Sequence, residues 1–171
     1  MNQLTDIDWE NWQAKDPATL VFVIRDGKIL LINKKTGLGK GKVNGPGGKV
    51  EAGETPQACA VRECHEELGI TVSGLRYCGQ HRFQFVDGYS IHVWVYRTSE
   101  FEGVPTETLE AKPLWVPLDQ IPYDQMWEDD RIWLPMMLDG RQFQGRWIFD
   151  GDRMLDYELS NDDGLGHDRI Y

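Results

Sequence analysis

The sequence predicts an α+β domain built on a mixed β-sheet with helices on both faces, an α/β/α sandwich. Three observations carry that expectation. Apolar, strand-like runs flank Asp-Gly turn signals at Asp26-Gly27, Asp87-Gly88 and Asp150-Gly151. One long helical segment interrupts the strands near the middle of the chain, and a second helical segment falls late. Runs of strands with so few helices between them suit a layered mixed sheet.

Residues 1–17 are polar, carry Trp9 and Trp12 and end at Pro17, which predicts an N-terminal extension packed on the body through the two rings. The folded domain is expected over 18–159. Segments 19–24 and 28–32 are β-branched and apolar around Asp26-Gly27, the signature of a β-hairpin. Residues 33–48, rich in glycine and lysine, read as a loop ending at Gly48. A helix is predicted over 55–69: Thr55 can cap it, Pro56 suits its first position and Gly69 stops it. Its apolar face is expected at Ala58, Val61, Cys64 and Leu68, which recur at helical spacing. Strands should follow over 70–72, 75–86, 89–97 and 112–118. A helix over 127–138 is expected to kink or break at Pro135. Segments 142–149 and 153–159 form a closing hairpin, and 160–171 a polar, flexible tail.

The chain has 171 residues, 40% apolar and 27% charged, which fits one globular domain. A net charge of −10 argues against a nucleic-acid partner held through its phosphates. A small phosphorylated ligand would need divalent cations between the two sets of negative charge. Cys59, Cys64 and Cys78 show no C-x-x-C spacing and read as core residues of a reduced, cytoplasmic protein. The N-terminus has no signal-like run, and no stretch reaches the roughly 18 apolar residues that span a bilayer.

The central helix carries Arg62-Glu63-Cys64-His65-Glu66-Glu67. Positions three and four apart share a face, so Glu63 lies beside Glu66 and Glu67 and the carboxylates repel. Either water relieves that repulsion, with Arg62 against Glu66, or hard divalent cations do, since carboxylates, carbonyls and water are their ligands. The surrounding string decides between them: Gly48-x5-Glu54-x7-Arg62-Glu63-Cys64-x-Glu66-Glu67-x-Gly69-Ile70.

This string resembles the Nudix box at every fixed position, with Cys64 smaller than the usual bulky aliphatic residue, and the resemblance implies the Nudix fold. It also implies hydrolysis of a nucleoside diphosphate linkage with Mg2+, for which Mn2+ can substitute. Glu63, Glu66 and Glu67 would hold the metals together with the carbonyl of Gly47. Glu54 would pair with Arg62 and pin the loop to the helix. Either Glu67 or Glu63 would serve as general base for the attacking water.

Beyond the box, Lys34-Lys35, Asn44 to Lys49, Phe83-Gln84-Phe85, 118–135 and 155–159 resemble the MutT-homologue group of that family, over about 20–159. That implies oxidised purine nucleoside triphosphates as substrates. Asn44, Asp129 and Asp130 would read the purine edge, Trp127 would stack on its face and Phe83 would form another wall. Lys34 either contacts phosphate or is solvated. Glu110 either approaches the metals or is merely exposed, and Trp133 is either pocket or core. Leu38 and Val43 stand where the group has aromatic residues, and Ala111 where it has a larger thioether, implying a roomier wall. Other Nudix substrates, such as dinucleoside polyphosphates, ADP-ribose or dNTPs, stay open, as does a sensor that binds without cutting. A monomer and a homodimer are both compatible with the sequence.

Overall fold

The computed structural model describes residues 2–161. Strands β1 (Asp16–Arg25) and β2 (Lys28–Lys34) form the predicted hairpin. Asp26 and Gly27 both adopt positive φ, +54° and +75°, as the tight turn demands. Past Val23 and Leu30 the two strands stop pairing with each other. Strand β3 (Val43–Asn44) pairs with β2 there, and β4 (Gly47–Lys49) pairs with β1. The segment expected as plain loop is thus wedged between diverging strands. Two- and three-residue strands rich in glycine have no periodicity to betray them.

Helix α1 (Pro56–Leu68) is capped as expected: Thr55 Oγ1 accepts the Ala58 N–H at 3.1 Å, and Gly69 ends the helix at φ +72°. Its buried face is Cys59, Ala60, Cys64, Glu67 and Leu68. The expected face is corrected at Ala58, which is exposed, one position out of phase with the buried stripe.

Next come β5 (Thr71–Ser73), β6 (Arg76–Phe85), β7 (Ser90–Thr98), β8 (Glu100–Glu102) and β9 (Ala111–Pro117). Helix α2 (Asp130–Leu138) and the hairpin β10 (Phe143–Asp150) and β11 (Arg153–Asn161) complete the described chain. The main sheet runs β11-β10-β6-β7-β1-β2-β3, with β9 on β2, while β5 and β8 form a separate pair. The β1–β7 and β10–β6 contacts are parallel and the others antiparallel, so the sheet is mixed. Strand β11 reaches Asn161, beyond the expected hairpin end, and residues 162–171 of the expected tail lie outside the described residues.

Helix α2 begins later than expected, and Pro135 does not break it. Arg131, whose carbonyl loses its partner to the proline, and Pro135 itself are both exposed, so water can take the missing hydrogen bond.

Alternation along β1 and β2 explains the sandwich. Val21, Val23, Leu30 and Ile32 point to α1 and pack with Ala60, Cys64 and Leu68. Phe22, Ile29 and Leu31 point the other way and pack with Trp133, Leu134 and Met137 of α2. Both faces of the central strands are therefore covered. No helix among the described residues is long and apolar enough to cross a membrane.

Candidate active site

A cavity of about 440 Å³ opens where β1, β2 and β4 diverge. Its two ends differ in chemistry. At one end stand Glu63, Glu67, Glu110 and Lys34; at the other, Asn44, Phe83, Trp127, Asp129 and Asp130. Ten of the residues singled out in the sequence, these nine and Gly47, line one space.

The acidic end is built by α1. Glu67 is only 4% exposed, and burial, reinforced by the charge of Glu63, raises its carboxyl to about 8. The Gly47 N–H donates to its Oε1 at 3.3 Å, and Lys34 also favours its charge. Glu63 is raised as well, by burial and by the charges of Glu66 and Glu110, against the opposing pull of Arg62. Oxygens of Glu63, Glu67 and Glu110 lie within 4.8 Å of one another. A hard divalent cation fits this set: three carboxylates converge, and burial leaves the charge of Glu67 costly unless a cation neutralises it.

Glu110 reaches the group because its loop is tied down. Thr108 Oγ1 donates to the Glu67 carbonyl at 2.7 Å, and the Lys35 N–H donates to the Glu110 carbonyl at 3.0 Å. Thr108 had no signal in the sequence beyond sitting near an acidic residue.

Arg62 stands outside the cavity and braces it. Its Nε and one terminal nitrogen donate to both oxygens of Glu54, at 2.8 and 2.9 Å, and it also donates to the Lys49 carbonyl at 3.0 Å. This fork holds the Glu54 carboxyl down at about 2. The other terminal nitrogen donates to Glu63 at 2.8 Å and Glu66 at 3.1 Å. Glu66 is therefore turned to Arg62 and is not brought into the converging group.

The two box glycines touch what a side chain would displace. A Cβ on Gly48 would lie 2.4 Å from the Glu63 carboxyl carbon, and one on Gly47 would lie 1.9 Å from the Thr19 carbonyl oxygen. Gly47→Ala is expected to cost about 2–3 kcal/mol of stability in denaturant melts, because backbone must move at the β1–β4 contact. An unchanged midpoint would mean that contact is looser than described.

At the far end, Trp127 meets Phe85 and Phe149 edge-on at 6.1 and 5.6 Å, and the Lys42 ammonium lies 5.3 Å from its ring centre. Phe83 stacks on Trp147, with ring centres 6.1 Å apart. Asn44 Oδ1 accepts the Gly45 N–H at 2.9 Å, which leaves its amide N–H groups to donate. Asp129 and Asp130 are each 3% exposed. They flank the start of α2, yet neither side chain caps it.

Burial raises both aspartates, and the charge of Asp129 pushes Asp130 further. Trp133 Nε1 donates to Asp129 Oδ2 at 2.7 Å and favours its ionised form, whereas Asp130 Oδ2 is buried without a partner. Of the two, Asp130 is therefore the one that holds a proton more readily. Trp133 is core, fully buried, and acts on the pocket through Asp129.

Of the three positions where the wall was expected to be roomier, only Leu38 lines the cavity, while Val43 and Ala111 are core residues. Tyr89, Ile91 and Phe149 line it too. The resemblance pointed to Phe83 for this wall, and nothing local in the sequence linked it to Tyr89, Ile91 or Phe149.

Fold and site together define a class: a sandwich protein with a convergent acidic cluster formed by one helix and the Glu110 loop, and an aromatic, carboxylate-lined pocket beside it. Comparison with known proteins sharpens this. The NUDIX domain family model matches residues 14–137. The oxidized purine nucleoside triphosphate hydrolase of Danio rerio is 42% identical over 149 residues, covering 86% of this chain and 96% of the relative. That of Mus musculus is 41% identical over the same shares. Among solved structures, the mutator MutT protein of Bacillus halodurans matches with a TM-score of 0.76 at 27% identity, covering 85% of this chain and 97% of that one. The chain belongs to the Nudix family.

Proposed function

We propose that this protein hydrolyses oxidised purine nucleoside triphosphates to the monophosphate and pyrophosphate, a nucleotide-pool sanitising activity. The observation that carries the reading is a single cavity lined both by the carboxylate cluster and by Trp127, Phe83 and the buried pair Asp129 and Asp130. Relatives matched over 96% of their own length carry the corresponding name.

Trp127 stacks on the base, contributing on the order of 1–3 kcal/mol by analogy with aromatic stacking in single strands. Ionised Asp129 accepts from the purine edge, while protonated Asp130 and the Asn44 amide donate to it. An 8-oxo group changes one ring position from acceptor to donor, and a site built around paired donors and acceptors can read that change. Lys34, at the acidic end, meets phosphate.

Glu63, Glu67 and Glu110 would hold Mg2+, or Mn2+ as a substitute ion, with the Gly47 carbonyl beside them; Glu66 would join only by leaving Arg62. When bound, the ion neutralises phosphate oxygens and makes water a better acid. Glu67, raised into the neutral range by burial, is the group that takes the proton of the attacking water, with Glu63 beside it. Arg62 and Glu54 keep the helix face from swinging. The protein works on a free nucleotide in the cytoplasm, without nucleic acid or membrane, as a monomer or homodimer.

The test is a nucleotide panel with Mg2+ and pyrophosphate detection. The kcat/KM for 8-oxo-dGTP is expected to exceed those for dGTP, ADP-ribose and diadenosine polyphosphates. A higher value for ADP-ribose or the dinucleotides would replace the substrate, and binding without turnover would leave a sensor.

A further inference from the structure

The family match begins at residue 14, yet the chain before it is packed onto the body in a specific way. Trp12 Nε1 donates to Gln84 Oε1 at 2.8 Å. Gln84 is 9% exposed, and its amide nitrogen donates to the carbonyls of Phe85 and Tyr89, at 2.9 and 3.1 Å. This one side chain therefore bridges both arms of the β6–β7 hairpin. Where the segment runs into β1, just inside the family match, the Lys15 N–H donates to Ser90 Oγ at 2.9 Å and Tyr89 OH donates to Asp16 Oδ2 at 2.8 Å. At its other end the segment is held by the Leu4 N–H on Asp156 Oδ2, 2.9 Å, and by Trp9, which lies 5.6 Å from Trp12 and 5.5 Å from the Arg146 guanidinium.

What the hairpin holds makes these contacts matter. Phe85 and Tyr89 both line the cavity, and Phe85 meets Trp127 edge-on. The turn between them, Val86, Asp87 and Gly88, is exposed. On the β6 side the end is held by Phe149, whose carbonyl accepts the Val86 N–H at 3.0 Å, so the strap's contacts fall on the Tyr89 side, where an exposed tip is otherwise among the less stable parts of a fold. Without the Trp12 donor, Gln84 Oε1 would be buried and unpaired, and its amide would no longer be oriented on both arms.

We propose that residues 2–16 form a strap that fixes the β6–β7 hairpin and, through Phe85 and Tyr89, the width of the base pocket. The proposal rests on reading that cavity as the nucleobase site. Trp12 and Asp16 are positioning residues: Trp12 acts through Gln84, and Asp16 through Tyr89 and through its ion pair with Lys49 at 3.3 Å.

Two full-length variants test it, Trp12→Phe, which keeps a ring and loses the donor, and Asp16→Ala, which removes the second tie. Thermal melts establish that each is folded. Amide hydrogen exchange over residues 85–90 is expected to quicken by roughly fivefold in either variant, without nucleotide. In turnover, KM for 8-oxo-dGTP should rise by roughly fivefold with kcat within about twofold, the split expected of a lost binding wall. Unchanged exchange in both folded variants overturns the strap, and so does a fall in kcat with KM unchanged. If the wild-type protein cleaves no purine triphosphate, the substrate reading fails instead. Hydrogen exchange still decides the strap in that case.

Discussion

Glu67→Gln is expected to lower kcat by about a thousandfold with little change in the fold, since positioned proton transfer contributes 10²–10⁴ and this carboxylate also holds the ion. Glutamine preserves the shape and the contact with the Gly47 N–H, so steric effects are small. The same residue gives a second, independent signature. Its folded carboxyl lies at about 8, against an unfolded value of 4.5. A raised acid binds more protons in the folded state, so the contribution of Glu67 to the stability of ion-free protein is fully present below 4.5 and is lost as pH rises from there through 8. Between pH 4.5 and 7 the loss is on the order of 3 kcal/mol. Mg2+ should therefore raise Tm more at pH 8 than at pH 5.5, and Glu67→Gln should flatten the pH dependence in chelator. Wild-type turnover in that variant, or a Tm gain from Mg2+ that ignores pH, would displace Glu67 from the centre.

The second large effect concerns selectivity. Asp129→Asn removes the ionised acceptor and places an amide against the Trp133 donor 2.7 Å away. The ratio of kcat/KM for 8-oxo-dGTP over dGTP should fall by roughly 10–100-fold, because a site built on complementary hydrogen bonds loses heavily when one group is wrong. Asp130→Asn replaces a protonated carboxyl by a neutral donor of the same shape, and less than about a tenfold change is expected. The asymmetry follows from the proton split and from the Trp133 hydrogen bond that Asp129 alone receives. Equal effects in the two variants would mean the split is absent, and no effect in either would mean the pair does not read the base.

Much of this site was legible before the structure. Carboxylate spacing on α1 needs only helical geometry, so Glu63 and Glu67 follow from the sequence once the helix does. Glu54 and Arg62 are eight residues apart, and their fork depends on how the loop before α1 folds back. The family resemblance implies that contact, whereas its double hydrogen bond shows only in three dimensions. Glu110 was ambiguous because its neighbours are loop residues. Two hydrogen bonds, from Thr108 to α1 and from Lys35 to Glu110, decide its position, and neither leaves a pattern in sequence.

The short strands β3 and β4 were missed for a related reason: they exist because β1 and β2 diverge, a property of the sheet as a whole. Ala58 shows the limit of counting every third or fourth position. The buried stripe includes a charged residue, Glu67, that an apolar template passes over. Tyr89 and Phe149 reach the cavity across strands far apart in the chain, which local alternation cannot report.

Anomalous diffraction from crystals soaked in Mn2+ is the most direct test of the claim that these buried carboxylates form a cation site. The account predicts a peak within coordination distance of Glu63, Glu67 and Glu110 oxygens that disappears in Glu67→Gln. A peak elsewhere, or none at a concentration that supports turnover, would contradict it.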